Sequence, residues 1–335
     1  MLNFLFTILL FSFAPVWSYG QLYSQHNSNQ QNGCVAGICD NGTGKNLNSY
    51  SLFPINEAMA SDGTPVEVTD YPDLKVWAGS SVAIDVDTGT ILHYDDGRKH
   101  VQIASLTKMM TATLALENIK NLNAPVTITQ TALDVVGTVV GCPTSVFCDG
   151  NRMYPGEKVK AIDLLRAMLM NSDNDAATAL GIYMAGSPDK FVQMMNAKAK
   201  SLGLIDTHFC TPSGLEIDGH EDECYSSAYD IARIAAYSMR YKLIWQIMET
   251  PSGQFYSTDG KTMHVLNNTD MLLTTLPGCI GGKTGYTPLA GDSLLLGAVD
   301  PTGKHKIIAV ILNDNNRWTD MRDLIDWIFT NYKWK

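Results

Sequence analysis

The chain has 335 residues, 45% of them hydrophobic and 17% charged, which is enough to bury one large core or two moderate ones. Its formal net charge of −10 argues against a nucleic-acid partner and against a basic face for an anionic membrane. We therefore expect the function to lie in a globular domain of ordinary composition.

The N-terminal segment, residues 1–20, is predicted to be a secretory signal peptide. Its apolar run from Leu2 to Phe11 is too short to span a bilayer, and small residues precede Gln21, where cleavage is expected. The run lacks the usual Lys or Arg at its start, so an uncleaved anchor remains the alternative. We expect an exported protein of the periplasm or the extracellular cell-wall space, with no strong membrane anchor beyond this segment.

Residues 21–72 are rich in Ser, Asn, Gln and Gly, which is typical of a low-complexity tail or linker. The folded domain is predicted to cover residues 73–335. It opens with strands at 81–86 and 90–94, joined by the turn Asp87-Thr88-Gly89.

The stretch from Ala104 to Thr111 places a hydroxyl and an amine three residues apart at the head of an apolar run. In a helix, residues i and i+3 share a face, so Lys108 can reach Ser105. Burial lowers the pKa of a lysine, and a neutral lysine can activate a serine nucleophile. A solvated surface lysine is the alternative. The same spacing recurs at Ser187 and Lys190, where Pro188 indicates a helix N-cap instead.

The region from about 111 to 248 is predicted to be mostly helical, with helices at 161–170, 176–184 and 188–201. Ser172, Asp173 and Asn174 lie at the break between the first two of these helices. A serine and an amide there can relay a proton and hold a substrate carbonyl. The same residue types are equally suited to a helix N-cap.

In the last part of the chain the spacing of hydrophobic residues changes from a helical to a strand pattern. It predicts buried strands at 294–299 and 306–312, followed by an amphipathic helix at 317–335. The run from Gly281 to Thr287 offers an ammonium, a hydroxyl and flexible backbone beside these strands. That combination suits an anionic substrate lying alongside as an extra strand, although a lysine in a Gly-rich hairpin would look the same. Strands at both ends around a helical middle predict one sheet with an inserted helical region.

The seven cysteines are spaced as local disulfides of an oxidising compartment. Metal binding is the alternative, but the chain contains no Cys-x-x-Cys pair. Cys279 would be left unpaired. The predicted pairs are Cys34–Cys39, Cys142–Cys148 and Cys210–Cys224.

In chain order, Ser-x-x-Lys at Ser105, Ser-Asp-Asn at Ser172 and Lys-Thr-Gly at Lys283 resemble the signature of the penicillin-recognising serine enzymes. From about Val76 to Arg317 the chain resembles the low-molecular-mass D-alanyl-D-alanine carboxypeptidase and endopeptidase family. The resemblance implies an α/β fold of the α+β type, β-lactamase/transpeptidase-like, with an antiparallel sheet and flanking helices.

The resemblance also implies catalytic roles. Ser105 would attack the penultimate D-alanine carbonyl of a peptidoglycan stem peptide and form an acyl-enzyme, while Lys108 takes its proton. Ser172, with Lys283 near it, would pass a proton to the leaving amine. Asn174 would orient Lys108 and the substrate amide.

The implied substrate-binding residues are Lys283, Thr284, Gly285 and Tyr286. Lys283 and Thr284 would hold the terminal carboxylate, and the N–H groups of Ser105 and Tyr286 would form the oxyanion hole. No metal or cofactor is needed. β-Lactam antibiotics would be covalent inhibitors.

Several rival functions remain. A DD-endopeptidase that cleaves cross-links fits the same motifs. A β-lactamase with Ser-Asp-Asn would need a glutamate within residues 205–210, which contain none, so penicillin should leave slowly. A Ser-His-Asp hydrolase lacks its Gly-x-Ser-x-Gly elbow, and His220 to Glu223 lack zinc-ligand spacing. A non-catalytic cell-wall binder would not need the serine and its base. The segments 141–150 and 218–224 look like insertions of unassigned role.

Overall fold

The computed structural model describes residues 63–69, 74–142, 148 and 150–335, together with the backbone of two short strands near the N-terminus. The predicted signal peptide and most of the predicted tail lie outside these residues. Strands β1 (Cys34–Val35) and β2 (Ile38–Cys39) pair antiparallel in the first of two units, residues 1–47 and 48–335, into which the chain divides.

The second unit mixes strands and helices. Its strands are β3 (Pro65–Glu67), β4 (Ser80–Asp85), β5 (Ile91–Asp95), β6 (Pro125–Thr127), β7 (Lys158–Lys160), β8 (Ser252–Tyr256), β9 (Met263–Asn267), β10 (Cys279–Gly285), β11 (Ser293–Val299), β12 (Lys306–Leu312) and β13 (Tyr332–Trp334).

Its α-helices are α1 (Lys108–Asn118), α2 (Gln130–Leu133), α3 (Ala161–Arg166), α4 (Asn174–Ala185), α5 (Pro188–Ser201), α6 (Ala228–Ser238), α7 (Lys242–Met248) and α8 (Arg317–Asn331). Short 3₁₀ turns cover Ala104–Thr107 and Glu221–Glu223, and a π-helix covers Ala167–Asn171.

A five-stranded antiparallel sheet forms the centre of this unit, in the order β10-β11-β12-β4-β5. The predicted sheet from both ends of the domain is therefore confirmed. After their first residues, Ser293 and Lys306, strands β11 and β12 carry only apolar residues and glycine, as expected for strands that helices cover on both faces. Ile307, Ala309 and Ile311 pack on α8, while Ile308 and Val310 are buried on the opposite face, towards α6.

Strand β10 lies at one end of the sheet order and packs against the 3₁₀ turn that carries Ser105. This approach favours a glycine, because a Cβ at Gly285 would lie 3.0 Å from the carbonyl oxygen of Ile103. Gly282 is confined from another side, since its Cβ would lie 2.6 Å from the Leu295 oxygen of the neighbouring strand. Gly285 thus lets the turn that carries Ser105 pack directly on the strand.

The region from 111 to 248 is mostly helical, as predicted, but it also contains the antiparallel pair β6–β7. A second hairpin, β8–β9, follows α7 and was not predicted. Three-residue strands such as β6 and β7 are too short for a two-residue period to show. The helix predicted at 161–170 is α3 continued by the π-helix.

The closing helix is shorter than predicted. It ends at Asn331, and β13 pairs antiparallel with β3. Because β3 lies within the segment 21–72 predicted as a tail, the folded unit begins before residue 73. Trp334 also donates from Nε1 to Asp85, 2.7 Å away, which anchors β13 to the end of β4. The pairing of β13 with β3 joins residues more than 260 positions apart, so no local sequence pattern predicts it.

Two of the predicted disulfides, Cys142–Cys148 and Cys210–Cys224, are formed, and Cys279 is a free thiol. The side chains of Cys34 and Cys39 lie outside the described residues. Within the described ranges, every helix is too short or too polar to cross a bilayer.

Candidate active site

The 3₁₀ turn that carries Ser105, called here the nucleophile turn, directly precedes a helix whose first two turns are buried. Ser105 lies in the 3₁₀ turn that precedes α1, and α1 begins at Lys108. The first eight residues of α1 are all buried, Lys108 completely so. Its Nζ lies 2.6 Å from Ser105 Oγ. The predicted pair is therefore in direct contact, with the lysine buried and the serine partly accessible.

Three oxygens surround the Lys108 amine. Besides Ser105 Oγ, Nζ contacts Asn174 Oδ1 at 2.8 Å and the Ser213 carbonyl at 2.9 Å. Both of the latter can only accept hydrogen bonds. A charged ammonium would donate to all three oxygens, whereas a neutral amine would give its two hydrogens to these two acceptors and turn its lone pair towards the serine hydroxyl.

The electrostatic surroundings favour the neutral amine. Burial lowers the pKa of Lys108 well below its usual value, and the charge of Lys283 lowers it further. The carboxylates of Asp173 and Asp175 act in the opposite direction, but the balance stays below the ordinary pKa. Lys108 thus has both the geometry and the basicity of a general base.

The Asn174 amide is held in one orientation by a neighbouring loop. Its Nδ2 donates to the Val136 carbonyl at 2.8 Å, which leaves Oδ1 for Lys108. Gly137 has φ +80°, and a Cβ there would lie 3.0 Å from Nδ2. This loop is thus shaped around the amide. The alternative of a simple N-cap is not what the structure shows, because Asn174 is the first residue of α4 and its side chain points to the lysine.

Ser172 occupies the sharp break between the π-helix and α4. Its backbone is left-handed, with φ 69°, and its side chain is largely buried. The adjacent Asp173 influences the pKa of both Lys108 and Lys283, so this turn lies near both lysines. A non-glycine residue in this conformation costs about 1–2 kcal/mol, and strain of this kind is concentrated at functional sites.

The second cation lies on β10. Lys283 is 1% exposed and donates from Nζ to the Thr284 carbonyl at 3.0 Å. Burial lowers the pKa of Lys283 to about 7; Arg317 also lowers it, while Asp173 and Asp270 raise it. Lys283 therefore changes charge near neutral pH.

The residues after Lys283 lead outwards from the buried site. The Thr284 hydroxyl lies 2.7 Å from that of Thr269, and Gly285 contacts the Ser105 turn. Tyr286, just after β10, is 63% exposed. The four predicted binding residues are thus consecutive at the end of β10, the strand that packs on the Ser105 turn.

The segment Ser213-Gly214-Leu215 closes the site from the other side. Ser213 supplies the carbonyl bound by Lys108, and Gly214 has φ +87°. A Cβ at Gly214 would lie 1.9 Å from the Ala104 carbonyl oxygen, so only glycine fits. Thr287 donates from its hydroxyl to the Glu216 carboxylate, which joins this segment to the end of β10.

Arg317 is a site residue that sequence reasoning missed. Its Nη1 donates to the Gly285 carbonyl at 3.1 Å and pairs with Asp292 at 2.8 Å, and its charge acts on Lys283. In the sequence it is only the first residue of an amphipathic helix, so no local signal marks it.

Two motifs that resemble functional sites, Ser187 to Lys190 and His220 to Glu223, have structural roles instead. The Ser187 side chain accepts from the backbone N–H of Lys190 at 3.3 Å, which is the predicted N-cap. His220 and Glu223 form an exposed pair at 2.9 Å. In the parts of the chain that the structure describes, no three His, Cys, Asp or Glu side chains come together as a metal site.

Comparison with known protein families gives a direct match. The family model described as D-alanyl-D-alanine carboxypeptidase matches residues 66–316. The chain is 31% identical over 263 residues to the D-alanyl-D-alanine carboxypeptidase DacF of Bacillus subtilis, covering 76% of this chain and 63% of that protein. It is 36% identical over 276 residues to DacB2 of Mycobacterium tuberculosis, covering 80% and 87%. A D-alanyl-D-alanine endopeptidase of Pseudomonas aeruginosa is 29% identical, covering 83% and 85%.

Solved structures agree with the sequence relatives. A D-alanyl-D-alanine carboxypeptidase from Mycobacterium tuberculosis superimposes with a TM-score of 0.68 at 30% identity, covering 79% of this chain and 95% of that one. Penicillin-binding protein D2 of Listeria monocytogenes, solved with ampicillin bound, gives a TM-score of 0.65 at 26% identity, covering 77% and 100%. The sheet with its inserted helical region is therefore the fold of penicillin-binding peptidases.

Proposed function

We propose, from the premise that this chain belongs to the D-alanyl-D-alanine carboxypeptidase family, that it is a serine-type D-Ala-D-Ala carboxypeptidase of peptidoglycan stem peptides. The observation that carries the proposal is the 2.6 Å contact of Ser105 Oγ with the fully buried Lys108 amine, whose other two partners are acceptor oxygens. Two disulfides support a location in an oxidising compartment, the periplasm or the cell-wall space.

In the first step, Ser105 Oγ attacks the carbonyl of the penultimate D-alanine and its proton passes to Lys108 Nζ. The backbone N–H groups of Ser105 and Tyr286 stabilise the oxyanion, each by about 3 kcal/mol in comparable enzymes. The protonated Lys108 is tolerated because Asn174 and Ser213 accept hydrogen bonds from it and Asp173 and Asp175 lie nearby.

Collapse of the tetrahedral intermediate releases the terminal D-alanine, whose amine needs a proton. Lys108 gives up the proton that it took from Ser105, and Ser172 relays it to this amine, which leaves Lys108 neutral for the next step. Ser172 adjoins Asp173, whose charge acts on both lysines. The product is an acyl ester on Ser105. Water then attacks this ester with Lys108 again as the base, which frees the shortened stem peptide.

A free terminal carboxylate distinguishes the substrate of a carboxypeptidase from a peptide that continues beyond the scissile bond. Lys283 and Thr284 bind it, and Arg317 adds a second positive charge beside the Gly285 carbonyl. Because these groups line the end strand of the sheet, the substrate adds to β10 as a further strand.

The deciding experiment is covalent labelling by a fluorescent penicillin, combined with D-alanine release from a pentapeptide ending in D-Ala-D-Ala. Wild-type protein should do both, and Ser105→Ala neither. Ser187→Ala is the matched control, because it removes a serine with the same Ser-x-x-Lys spacing and costs only an N-cap bond. An unlabelled wild-type protein would refute the proposal, and rapid turnover of penicillin would point to a β-lactamase.

A DD-endopeptidase is the second candidate, favoured by relatives that carry that name. It would use the same acyl-enzyme but accept a cross-linked peptide as leaving group. Assaying a cross-linked muropeptide dimer beside the pentapeptide separates the two, since a carboxypeptidase should prefer the pentapeptide.

A further inference from the structure

The loop that follows α2, residues 134–142, lies against the first residue of α4. The Val136 carbonyl of this loop accepts from Asn174 Nδ2, and its Thr138 carbonyl accepts from the Asn174 backbone N–H, both at 2.8 Å. Asn174 is also the residue that presents Oδ1 to the Lys108 amine. The position of the loop therefore helps to fix where that oxygen points.

The next residue of α4 holds the far end of the same loop. The Val140 N–H donates to both carboxylate oxygens of Asp175, at 3.1 Å to Oδ1 and 3.2 Å to Oδ2. Asp175 Oδ1 also accepts from the Ala176 N–H at 2.8 Å. Asp175 and Val140 are both 0% exposed, so water is not available to replace the bond between them. A buried carboxylate needs such donors, because without them its burial costs free energy.

The charge of Asp175 makes this attachment a strong one. Burial raises the pKa of Asp175 to about 6, and the hydrogen bond from Val140 is the largest of the effects that lower it again. At pH 7 the side chain is therefore mostly an anion. A hydrogen bond to an ionised acceptor is roughly twice as strong as one between neutral groups, which applies to Asp175 and not to the two carbonyl contacts of Asn174.

The Val140 N–H is directed at Asp175 by a tight turn. The Cys142 N–H donates to the Val139 carbonyl at 2.8 Å, and Gly141 between them has φ +75°. A closing bond of this kind with glycine in the left-handed region at the third position is typical of a type II turn. Val140 is then the second residue of the turn, with its N–H fixed in direction.

The inserted segment 141–150 supports this turn and thereby gains a role. The Cys142–Cys148 disulfide joins the end of the turn to the far side of the insertion. The Gly150 N–H also donates to the Gly141 carbonyl at 3.1 Å. The insertion therefore holds the turn from the side opposite to α4.

We infer that Asp175 is a positioning residue for the general base: it holds the loop 134–142, the loop orients Asn174, and Asn174 orients Lys108. The inference rests on the proposed function, because it assigns Lys108 to the acylation of Ser105. Since Asp175 acts through Asn174, its loss should slow the chemical step and leave the binding of a ligand carboxylate on β10 unchanged.

The test is stopped-flow acylation by a fluorescent penicillin, which separates the dissociation constant of the non-covalent complex from the acylation rate constant. Asp175→Ala should slow acylation by about ten- to hundredfold, because a displacement of about 1 Å at a reacting group can cost 10²-fold. Its dissociation constant should stay within about twofold of wild type, as expected when only the chemical step is affected. Asp175→Asn keeps one acceptor oxygen for Val140, so its acylation rate should stay within about threefold of wild type.

Asp85→Ala is the matched control for stability. Asp85 is 1% exposed and accepts the Thr88 N–H at 2.8 Å in the turn between β4 and β5. Its removal also leaves a buried turn without its acceptor, so thermal melts should show a loss similar to that of Asp175→Ala. Acylation by Asp85→Ala should remain at the wild-type rate.

A further variant removes the same bond from its donor side. Val140→Pro deletes the N–H and keeps the turn, because proline is favoured at the second position of a type II turn. It should slow acylation as Asp175→Ala does. The double variant should be no more than about twofold slower than the slower single one, since both changes remove one interaction.

Wild-type acylation in either Asp175→Ala or Val140→Pro would overturn the positioning role. An Asp175→Asn variant as slow as Asp175→Ala would do the same, because the charge of Asp175 and not its hydrogen bond would then act on Lys108. A wild-type protein that penicillin does not label would instead defeat the proposed function, and the positioning role with it.

Discussion

Replacing Gly214 by alanine should disable the nucleophile without touching it. Gly214 has φ +87°, and an added Cβ would lie 1.9 Å from the Ala104 carbonyl oxygen and 2.7 Å from Thr107 Oγ1. Since ordinary contact begins near 3.4 Å, the two backbone segments must separate by about 1.5 Å. Ala104 directly precedes Ser105, so this displacement moves Oγ relative to Lys108.

The size of the effect follows from two contributions. A left-handed backbone costs an alanine about 1–2 kcal/mol, which lowers Tm by about 2–4 °C per kcal/mol in a domain of this size. Displacing a reacting group by about 1 Å can cost 10²-fold in rate. We therefore expect Gly214→Ala to slow acylation by at least about 100-fold.

Gly186→Ala separates these contributions. Gly186 has φ +84°, but nothing lies within 4 Å of the added Cβ, so only the backbone cost applies. Stopped-flow acylation by a fluorescent penicillin and thermal melts should be run on both variants. Gly186→Ala should lose a few degrees and acylate normally. If Gly214→Ala acylated like wild type and melted like Gly186→Ala, the reasoning about the nucleophile turn would be refuted.

Three further predictions concern the same site. Because the pKa of Lys283 is about 7 in the free enzyme, kcat/KM for a D-Ala-D-Ala peptide should fall about tenfold per unit well above pH 7, and a flat alkaline limb would contradict its role as a cation. Asn174→Asp places a negative charge beside Lys108 and raises the pKa of the lysine, so the rate of penicillin acylation should fall more than tenfold relative to wild type at pH 7. The ratio of the two rates should move back towards one by pH 9–10, and a ratio independent of pH would argue against a charge effect. Joint replacement of Cys142 and Cys148 by serine should cost about 2 kcal/mol in urea melts. Reductant should destabilise wild type by about that much more than the variant, because both keep Cys210–Cys224, and equal sensitivity of the two would dismiss the Cys142–Cys148 disulfide as the cause.

The chemistry of the nucleophile was readable from sequence because it depends on local spacing. Ser105 and Lys108 stand three residues apart, and the apolar run behind them predicts the burial that lowers the lysine pKa. The second Ser-x-x-Lys motif, at Ser187, can be distinguished from the first for the same reason, since Pro188 marks a helix start. The central strands were equally readable, because unbroken apolar runs such as 306–312 require cover on both faces.

The features of the site and fold that could not be predicted from the sequence depend on contacts between distant segments. Asn174 is oriented by the Val136 carbonyl, 38 residues earlier, and Arg317 reaches Gly285 from 32 residues later. The strand pair of β3 and β13 joins segments too short to show a period. The left-handed Ser172 is invisible because serine is not a residue type that predicts such a backbone.

The register of the central sheet has a consequence for how the chain folds. Strand β12 lies between β11 and β4, and it places Ala309 opposite Ala83 across 226 residues. Until β12 is available, Val82 and Ile84 lack the neighbour that buries them, and the β4–β5 hairpin alone is at best marginally stable. Contacts this distant slow folding, since the intervening loop must close first. A nascent chain thus carries the serine and its lysine for most of its synthesis before the central sheet behind them can close, and that closure waits for β12.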